Sequence, residues 1–345
     1  MTKKTTDLIS TFHILCAEPT AYDAKLRRLM ESHCKVTYKD FQNSEDMAYW
    51  QRENHCDAII CGLGIEINSS VIKSSSNLKL IATPTTGLNH IDITEAKNRG
   101  IRVISLKGEI EFLRKITTTA EHAWLLLLAS NRLLPSLLMR VAKKSWKRSD
   151  LTIQQLSGSV IGIIGMGRLG KIIGSYGTAF RMRVVYSDKD LGVEADKEFE
   201  SVDLVSLLRI SDHIILSASY EKGDGPIIGL REVQLMKPGC TFINIARGEL
   251  VDEDAIIYGL NNSIIRAVGL DVLKGDSCWD ENISIKSRLV DMAEYDPRVL
   301  ITPHVGGYAR QAIESTREFI IHKVVECLKI PSDQDEIHCG AVPKP

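Results

Sequence analysis

Three observations predict an α/β protein of two doubly wound parallel-sheet domains. The chain has 345 residues, more than one ordinary core organises. Short apolar runs alternate with amphipathic stretches across its first third, and a Gly-rich strand-to-helix turn near the middle opens a second series of the same kind. Two such domains are expected to leave a cleft between them.

In the first third the strand-like runs are residues 12–16, 35–38, 58–61, 80–83 and 101–104. Runs this short, with helical stretches between them, indicate a parallel sheet covered by helices, and no phosphate loop accompanies them. From 119 to 134 the chain is long enough for a helix and apolar on nearly every side, so the helix must be buried, either inside its own domain or against a second subunit. The second series begins at 160–164 and continues at 183–186, 213–216, 241–244, 267–270 and 299–302. Six strands with helical connections match a dinucleotide-binding fold. Beyond His304, apolar residues recur at helical spacing from 312 to 328, limited by Pro331, and this helix is expected to return to the first domain.

Composition narrows the partners. A net charge of −1 gives no field favouring nucleic acid or an anionic membrane. The first ten residues are polar and no apolar run reaches the length of a membrane span, which predicts a cytoplasmic protein acting on small molecules. The eight cysteines show no CxxC or Cys/His spacing suited to zinc, so no metal is expected and the thiols read as buried and unpaired.

The glycine turn runs Gly165-Met166-Gly167-Arg168-Leu169-Gly170 between a strand and a helical stretch. Gly165 permits the tight turn, Gly167 lets backbone approach a pyrophosphate, and Gly170 lets helix and strand pack closely. The amides of Arg168 and Leu169, at the helix start, attract phosphate charge. Asp188, eighteen residues after Gly170 at the end of the next strand, is placed to accept from an adenine ribose diol. A 2′-phosphate there would meet a like charge, so the expected cofactor is NAD rather than NADP.

Arg247 follows an apolar strand at the sheet edge where such folds bind ligands, and a guanidinium there can grip a 2-oxo carboxylate and polarise its carbonyl. His304 also stands just past a strand, and an imidazole can give or take the proton that ketone reduction or alcohol oxidation requires. Asp276 is the candidate carboxylate to orient that ring. His122 and His213, inside an apolar helix and a strand, read as structural or packing residues.

On GIIGMGRLG at 162–170, Asp188, INIARGELV at 243–251, GLDV at 269–272 and TPHVGG at 302–307, with LKLIATPTTGLNHID at 78–92 and AEHAWLLLLA at 120–129, the chain resembles the D-isomer-specific 2-hydroxyacid dehydrogenases over nearly its whole length. The resemblance implies a Rossmann NAD-binding domain, residues 116–307, inserted in a flavodoxin-like substrate domain of residues 1–115 and 308–345. It implies that Arg247 binds the substrate carboxylate and carbonyl, that His304 is the acid/base, that Ala246 borders the cofactor, and that Asp271 positions the nicotinamide carboxamide. Backbone amides near Thr86 and Gly87 would hold the carboxylate from the other domain. Closure of the domains would expel water, and a homodimer is expected.

Three departures stand out. Asp276 replaces the family's usual Glu and is one methylene shorter. Ser217-Ala218-Ser219 replaces a common His-x-Pro, in a chain whose 276–304 segment is also longer than usual. The loop from 107 to 115 is long, and its Lys107, Arg114 and Lys115 either meet a second anionic group on the substrate or, balanced by Glu109 and Glu111, form a solvated surface. A reading from another class, an NADH-sensing scaffold like the corepressors sharing these motifs, stands beside the enzyme.

Overall fold

The computed structural model describes residues 12–148, 153–189, 198–221, 223–276 and 286–329. They form two compact units, one of residues 12–115 and 309–329, the other of residues 116–276 and 286–308.

The first unit holds a five-stranded parallel sheet in the order β2-β1-β3-β4-β5, built from β1 (His13–Cys16), β2 (Lys35–Tyr38), β3 (Ala58–Ile60), β4 (Leu80–Ala82) and β5 (Arg102–Ile104). Every residue of β3 and β4 is fully buried, as strands covered on both faces require. The helices α1 (Ala24–Glu31), α2 (Ser44–Asn54), α3 (Ser69–Ser74) and α4 (Ile93–Asn98) start at Asp23, Asn43, Asn68 and Asp92, whose side chains accept from first-turn amides. The loop around residue 110 contains a helical turn, α5 (Ile110–Leu113), and Phe112 stacks on Phe319 of the last helix, Arg310–Lys329, at a ring separation of 4.1 Å. That last helix lies on α1 and β5, tied by Lys25 to Glu318 and by the Arg102 guanidinium to the Cys327 carbonyl.

The second unit opens with α6 (Thr118–Asn131) and α7 (Leu134–Ala142) and then builds seven parallel strands: β6 (Val160–Ile164), β7 (Arg183–Ser187), β8 (Glu200–Ser201), β9 (His213–Leu216), β10 (Cys240–Asn244), β11 (Ile265–Leu270) and β12 (Val299–Ile301). Their order is β12-β11-β10-β9-β6-β7-β8. Connecting helices are α8 (Arg168–Ala179), α9 (Leu204–Ile210), α10 (Leu230–Leu235), α11 (Glu253–Asn261) and α12 (Arg288–Ala293). The chain leaves β6 toward β7 on one side, and its later strands lie on the other, so the sheet reverses direction at β6 and β9. Sheets of this kind bind ligands at such a reversal, outside the carboxyl ends of the strands.

Helix α6 is buried mainly against this unit's own sheet. Ala120, Ala123, Leu126 and Leu127 pack with Ile161, Ile163, Ile215 and Ile243, and Gly269 lets the helix come close, since a Cβ there would lie 3.0 Å from that of Leu126. Leu125 alone of its leucine run points strongly outward, at 54% exposure. No single helix among the described residues is long and apolar enough to cross a membrane.

His213, at the start of β9, is 1% exposed, and neither ring nitrogen has a hydrogen-bond partner among the described residues. Burial disfavours its charged form and brings it down from the ordinary 6.5 to about 4, with Asp212 opposing and Arg266 and Lys237 adding to the shift. The unfolded chain therefore binds this proton first as pH falls. The cost is absent above pH 6.5, grows down to about pH 4, and reaches about 3 kcal/mol. His213→Phe should shrink the fall in unfolding temperature between pH 7 and pH 5. An identical fall in parent and variant would show that His213 does not titrate in this window.

Candidate active site

The cofactor turn follows β6. Gly165 has φ of +94°, and a Cβ there would stand 2.5 Å from the Ala218 Cα, so the turn and the end of β9 touch backbone to backbone. A Cβ on Gly170 would sit 2.3 Å from the Gly165 carbonyl oxygen, whereas one on Gly167 would meet nothing within 4 Å. Two glycines are thus demanded by packing and the third faces open space where a pyrophosphate could approach. Gly167 is also the N-cap of α8 and has no side chain to satisfy the first amides, among them those of Arg168 and Leu169. Ser217 donates to the Gly165 carbonyl at 2.7 Å, so the serine that departs from the family pattern braces the turn.

Asp188 follows β7, the next strand out. Its Oδ2 accepts from the Met166 amide at 2.6 Å, which fixes the carboxylate beside the turn and adds to its proposed part as a ribose acceptor a structural one. These features fit a dinucleotide. Adjacent strands lie about 4.8 Å apart, so the row from β7 to β12 is long enough for an extended ligand.

At the other end of the row, three neighbouring strands each deliver one candidate group. Arg247 follows β10, Asp276 follows β11, and His304 follows β12. Asn244, 1% exposed at the end of β10, accepts from the Ala246 amide at 2.9 Å and donates to the Arg247 carbonyl at 3.0 Å, tying down the turn that presents the guanidinium. Arg247 is half-buried and folds back to donate to the Ala246 carbonyl at 2.7 Å, and no carboxylate among the described residues pairs with it. Ala246, 6% exposed, belongs to this braced turn.

Asp276 reaches His304 despite its missing methylene: the Nδ1 to Oδ2 separation is 3.0 Å, with the carboxylate 8% and the ring 19% exposed. Backbone accounts for the reach. Gly275 adopts φ of +82°, and the Asp276 amide closes back on the Leu273 carbonyl at 3.1 Å. Gly248, next to Arg247, packs directly on this segment, for a Cβ there would lie 2.0 Å from the Leu273 carbonyl carbon. Glu253 holds the segment as well, accepting from the Lys274 amide at 3.1 Å and the Ser287 hydroxyl at 2.6 Å. A carboxylate only accepts, so with Asp276 ionised Nδ1 carries the hydrogen and Nε2 is the atom for proton exchange. His304 has φ of +52°, in the left-handed region that is uncommon for residues other than glycine.

Asp271 stands just past the end of β11. It is 2% exposed, and both oxygens are engaged within the unit: Oδ1 accepts from the Thr302 hydroxyl at 2.7 Å and the Val305 amide at 2.9 Å, and Oδ2 accepts from the Gly306 amide at 2.7 Å. These bonds, with that from His122, outweigh burial and hold its carboxyl below the usual range. Asp271 ties down the turn containing His304, in addition to the part at a carboxamide that the family resemblance implies for it. His122, read from sequence as a structural or packing residue, has a structural part. Its Nε2 lies 2.8 Å from the Thr302 hydroxyl and 3.2 Å from Asp271 Oδ1.

Thr86 and Gly87 belong to the first unit, in the turn after β4, where Thr85 donates to the Gly87 carbonyl at 2.7 Å and meets Thr83, itself 3.2 Å from His90 Nε2. In the 107–115 stretch of that unit, Arg114 pairs with Glu111 at 2.9 Å, Lys323 pairs with Glu109, and Lys107 and Lys115 are exposed. Cys278 and Trp279 lie outside the described residues.

A Gly-rich turn, a carboxylate on the next strand and an Arg, Asp and His at the opposite end of one parallel sheet define a nicotinamide-dependent oxidoreductase. The family model for the D-isomer specific 2-hydroxyacid dehydrogenase NAD binding domain matches residues 124–306. Glyoxylate reductase of Thermococcus gammatolerans is 31% identical over 279 residues, 78% of this chain and 79% of that one. Hydroxypyruvate reductase of Thermotoga maritima is 28% identical over 274 residues, 79% and 85% of the two chains. The crystal structure of D-lactate dehydrogenase from Aquifex aeolicus, complexed with NAD and lactic acid, shares the fold with a TM-score of 0.78 at 24% identity, over 92% of this chain and 95% of that one. The chain belongs to the D-isomer-specific 2-hydroxyacid dehydrogenase family. It is an NAD-dependent oxidoreductase that moves a hydride between nicotinamide and C2 of a D-2-hydroxyacid or 2-ketoacid.

Proposed function

We propose that this protein reduces a small 2-ketoacid with NADH, glyoxylate and hydroxypyruvate being the first candidates because relatives bear those names. The observation that carries the reading is the Asp276–His304 hydrogen bond at 3.0 Å together with Arg247, with which no carboxylate among the described residues pairs, all three following neighbouring strands. Bound NADH supplies the hydride. Arg247 gives two parallel hydrogen bonds to the substrate carboxylate and draws charge from its carbonyl oxygen. His304 delivers the Nε2 proton to that oxygen, Asp276 holds the ring and balances its positive charge before the transfer, and solvent then reprotonates the neutral ring. Gly165, Gly167, Gly170 and the amides of Arg168 and Leu169 hold the pyrophosphate, Asp188 the ribose, and Ala246 borders the nicotinamide side. Thr86 and Gly87 would offer amides to the substrate carboxylate from the substrate domain.

The test is NADH oxidation with a panel of glyoxylate, hydroxypyruvate, pyruvate, phosphorylated and dicarboxylic ketoacids. Turnover with a small member, weaker with NADPH, is expected. Tight NADH binding without turnover of any ketoacid would instead favour the nucleotide-sensing scaffold. Glu111 pairs with Arg114 while Lys107 and Lys115 are exposed, so a gain for the phosphorylated members over the simple ones would assign those two lysines to a second anionic group.

A homodimer and a cytoplasmic setting complete the proposal. Helix α7 buries none of its residues, and Leu134, Leu138 and Val141, spaced four and three apart, form one outward stripe at 39%, 63% and 56% exposure. Trp146 stands 83% exposed just beyond. A second copy of the chain is the occupant that suits such a stripe. Leu138→Glu with Val141→Glu should yield monomers by light scattering, and a parent protein that is itself monomeric would sink this assignment. The six cysteines among the described residues are buried free thiols, as a reducing compartment permits.

A further inference from the structure

We propose that His122 is a positioning residue for His304, acting through the buried Asp271 carboxylate and Thr302 to keep the 302–306 turn in its strained form; the catalytic part of this inference rests on His304 being the acid/base proposed above. The hydrogen-bond directions can be worked out. Thr302 donates its only hydroxyl hydrogen to Asp271 Oδ1 at 2.7 Å. Its oxygen can therefore only accept from His122, 2.8 Å away, and Asp271 Oδ1, 3.2 Å away, can only accept too. Both contacts call for the same tautomer, with hydrogen on Nε2 shared between the two oxygens.

The consequence is a clamp that no segment of sequence contains by itself. His122 comes from α6, Asp271 from the end of β11, and Thr302, Val305 and Gly306 from the turn after β12. His304 sits inside that turn with φ of +52°, a conformation that persists only when its surroundings over-determine it. The turn has no slack on the Asp271 side, where a Cβ on Gly306 would lie 2.7 Å from Oδ2. Remove the imidazole and Asp271 loses a donor while Thr302 loses the group that fixes its rotamer. On the Asp271 side the turn then keeps the Val305 and Gly306 amide bonds but not the fixed Thr302 hydroxyl.

The variants to compare are His122→Leu, which removes the donor, and His122→Gln, whose amide nitrogen can stand where Nε2 stands. Hydrogen exchange in the NADH-free protein reads the clamp without any turnover: the Val305 and Gly306 amides should exchange faster in the Leu variant and return toward the parent rate in the Gln variant. In turnover the Leu variant should lose about 10- to 100-fold in kcat, the equivalent of one hydrogen bond to a buried charge, with ketoacid KM and NADH affinity within about threefold of the parent. The Gln variant should recover most of that loss. If the Leu variant does not fold, His122→Asn, polar but too short to reach Asp271, takes its place. Unchanged exchange at the two amides, or a Gln variant as impaired as the Leu variant, overturns the proposal. A parent enzyme inactive on every ketoacid instead overturns the reading of His304, and the exchange comparison still decides the clamp.

Discussion

His304→Ala is expected to lower kcat for ketoacid reduction by about 100- to 10,000-fold, the range that general acid catalysis contributes, while NADH binds nearly as before. The two effects separate because the ring lies after β12, whereas the dinucleotide cradle lies after β6 and β7. Asp276→Asn should give a smaller loss. Without the carboxylate at 3.0 Å the ring loses the acceptor that fixes its orientation and tautomer, so hydride transfer slows while NADH affinity stays near that of the parent. Stopped-flow hydride transfer would measure both. A full-rate His304→Ala enzyme would exclude the imidazole as proton donor and direct attention to another group.

Arg247→Ala should be nearly as damaging, and its signature should differ. Loss of a bidentate, charge-assisted grip raises the ketoacid KM and lowers kcat together, about 100- to 10,000-fold in kcat/KM, since each of two such bonds is worth about 1.5 to 3 kcal/mol. Arg247→Lys should recover only part, because an ammonium cannot offer two parallel donors. NADH affinity, read by fluorescence, should stay near the parent value. A variant that lost NADH binding while keeping its ketoacid KM would assign Arg247 to the cofactor.

Much of this architecture is legible in the chain because buried parallel strands need continuous apolar runs. Val160–Ile164 and His213–Leu216 are readable as strands for that reason. Strand β8 is not, being only Glu200 and Ser201, both exposed, paired with β7 at the sheet edge and tied to it by the Arg183–Glu200 ion pair rather than by buried apolar side chains. The site divides in the same way. Gly165, Gly170 and Asp188 follow local rules of turn and spacing. Asp271 and His122 do not. A carboxylate after a strand reads as a ligand group, and the amides that consume it lie 34 and 35 residues further on. His122 meets Thr302 across 180 residues, and an apolar helix gives no sign that one of its positions faces a polar partner. The visible clue was the cost of placing an imidazole among leucines: buried polar groups need partners. For Asp276, side-chain length alone understated the reach, because a left-handed Gly275 supplied from the backbone what the missing methylene withheld.

Gly248 determines how this enzyme can be altered. With no room for even one carbon between it and the Leu273–Lys274 peptide, the turn that carries Arg247 and the segment that carries Asp276 are effectively one casting. An engineer seeking a new substrate cannot retune either alone, since shifting the guanidinium drags the imidazole's counter-ion along. Variation in substrate preference must therefore be sought in parts of the chain that are not fused to that joint.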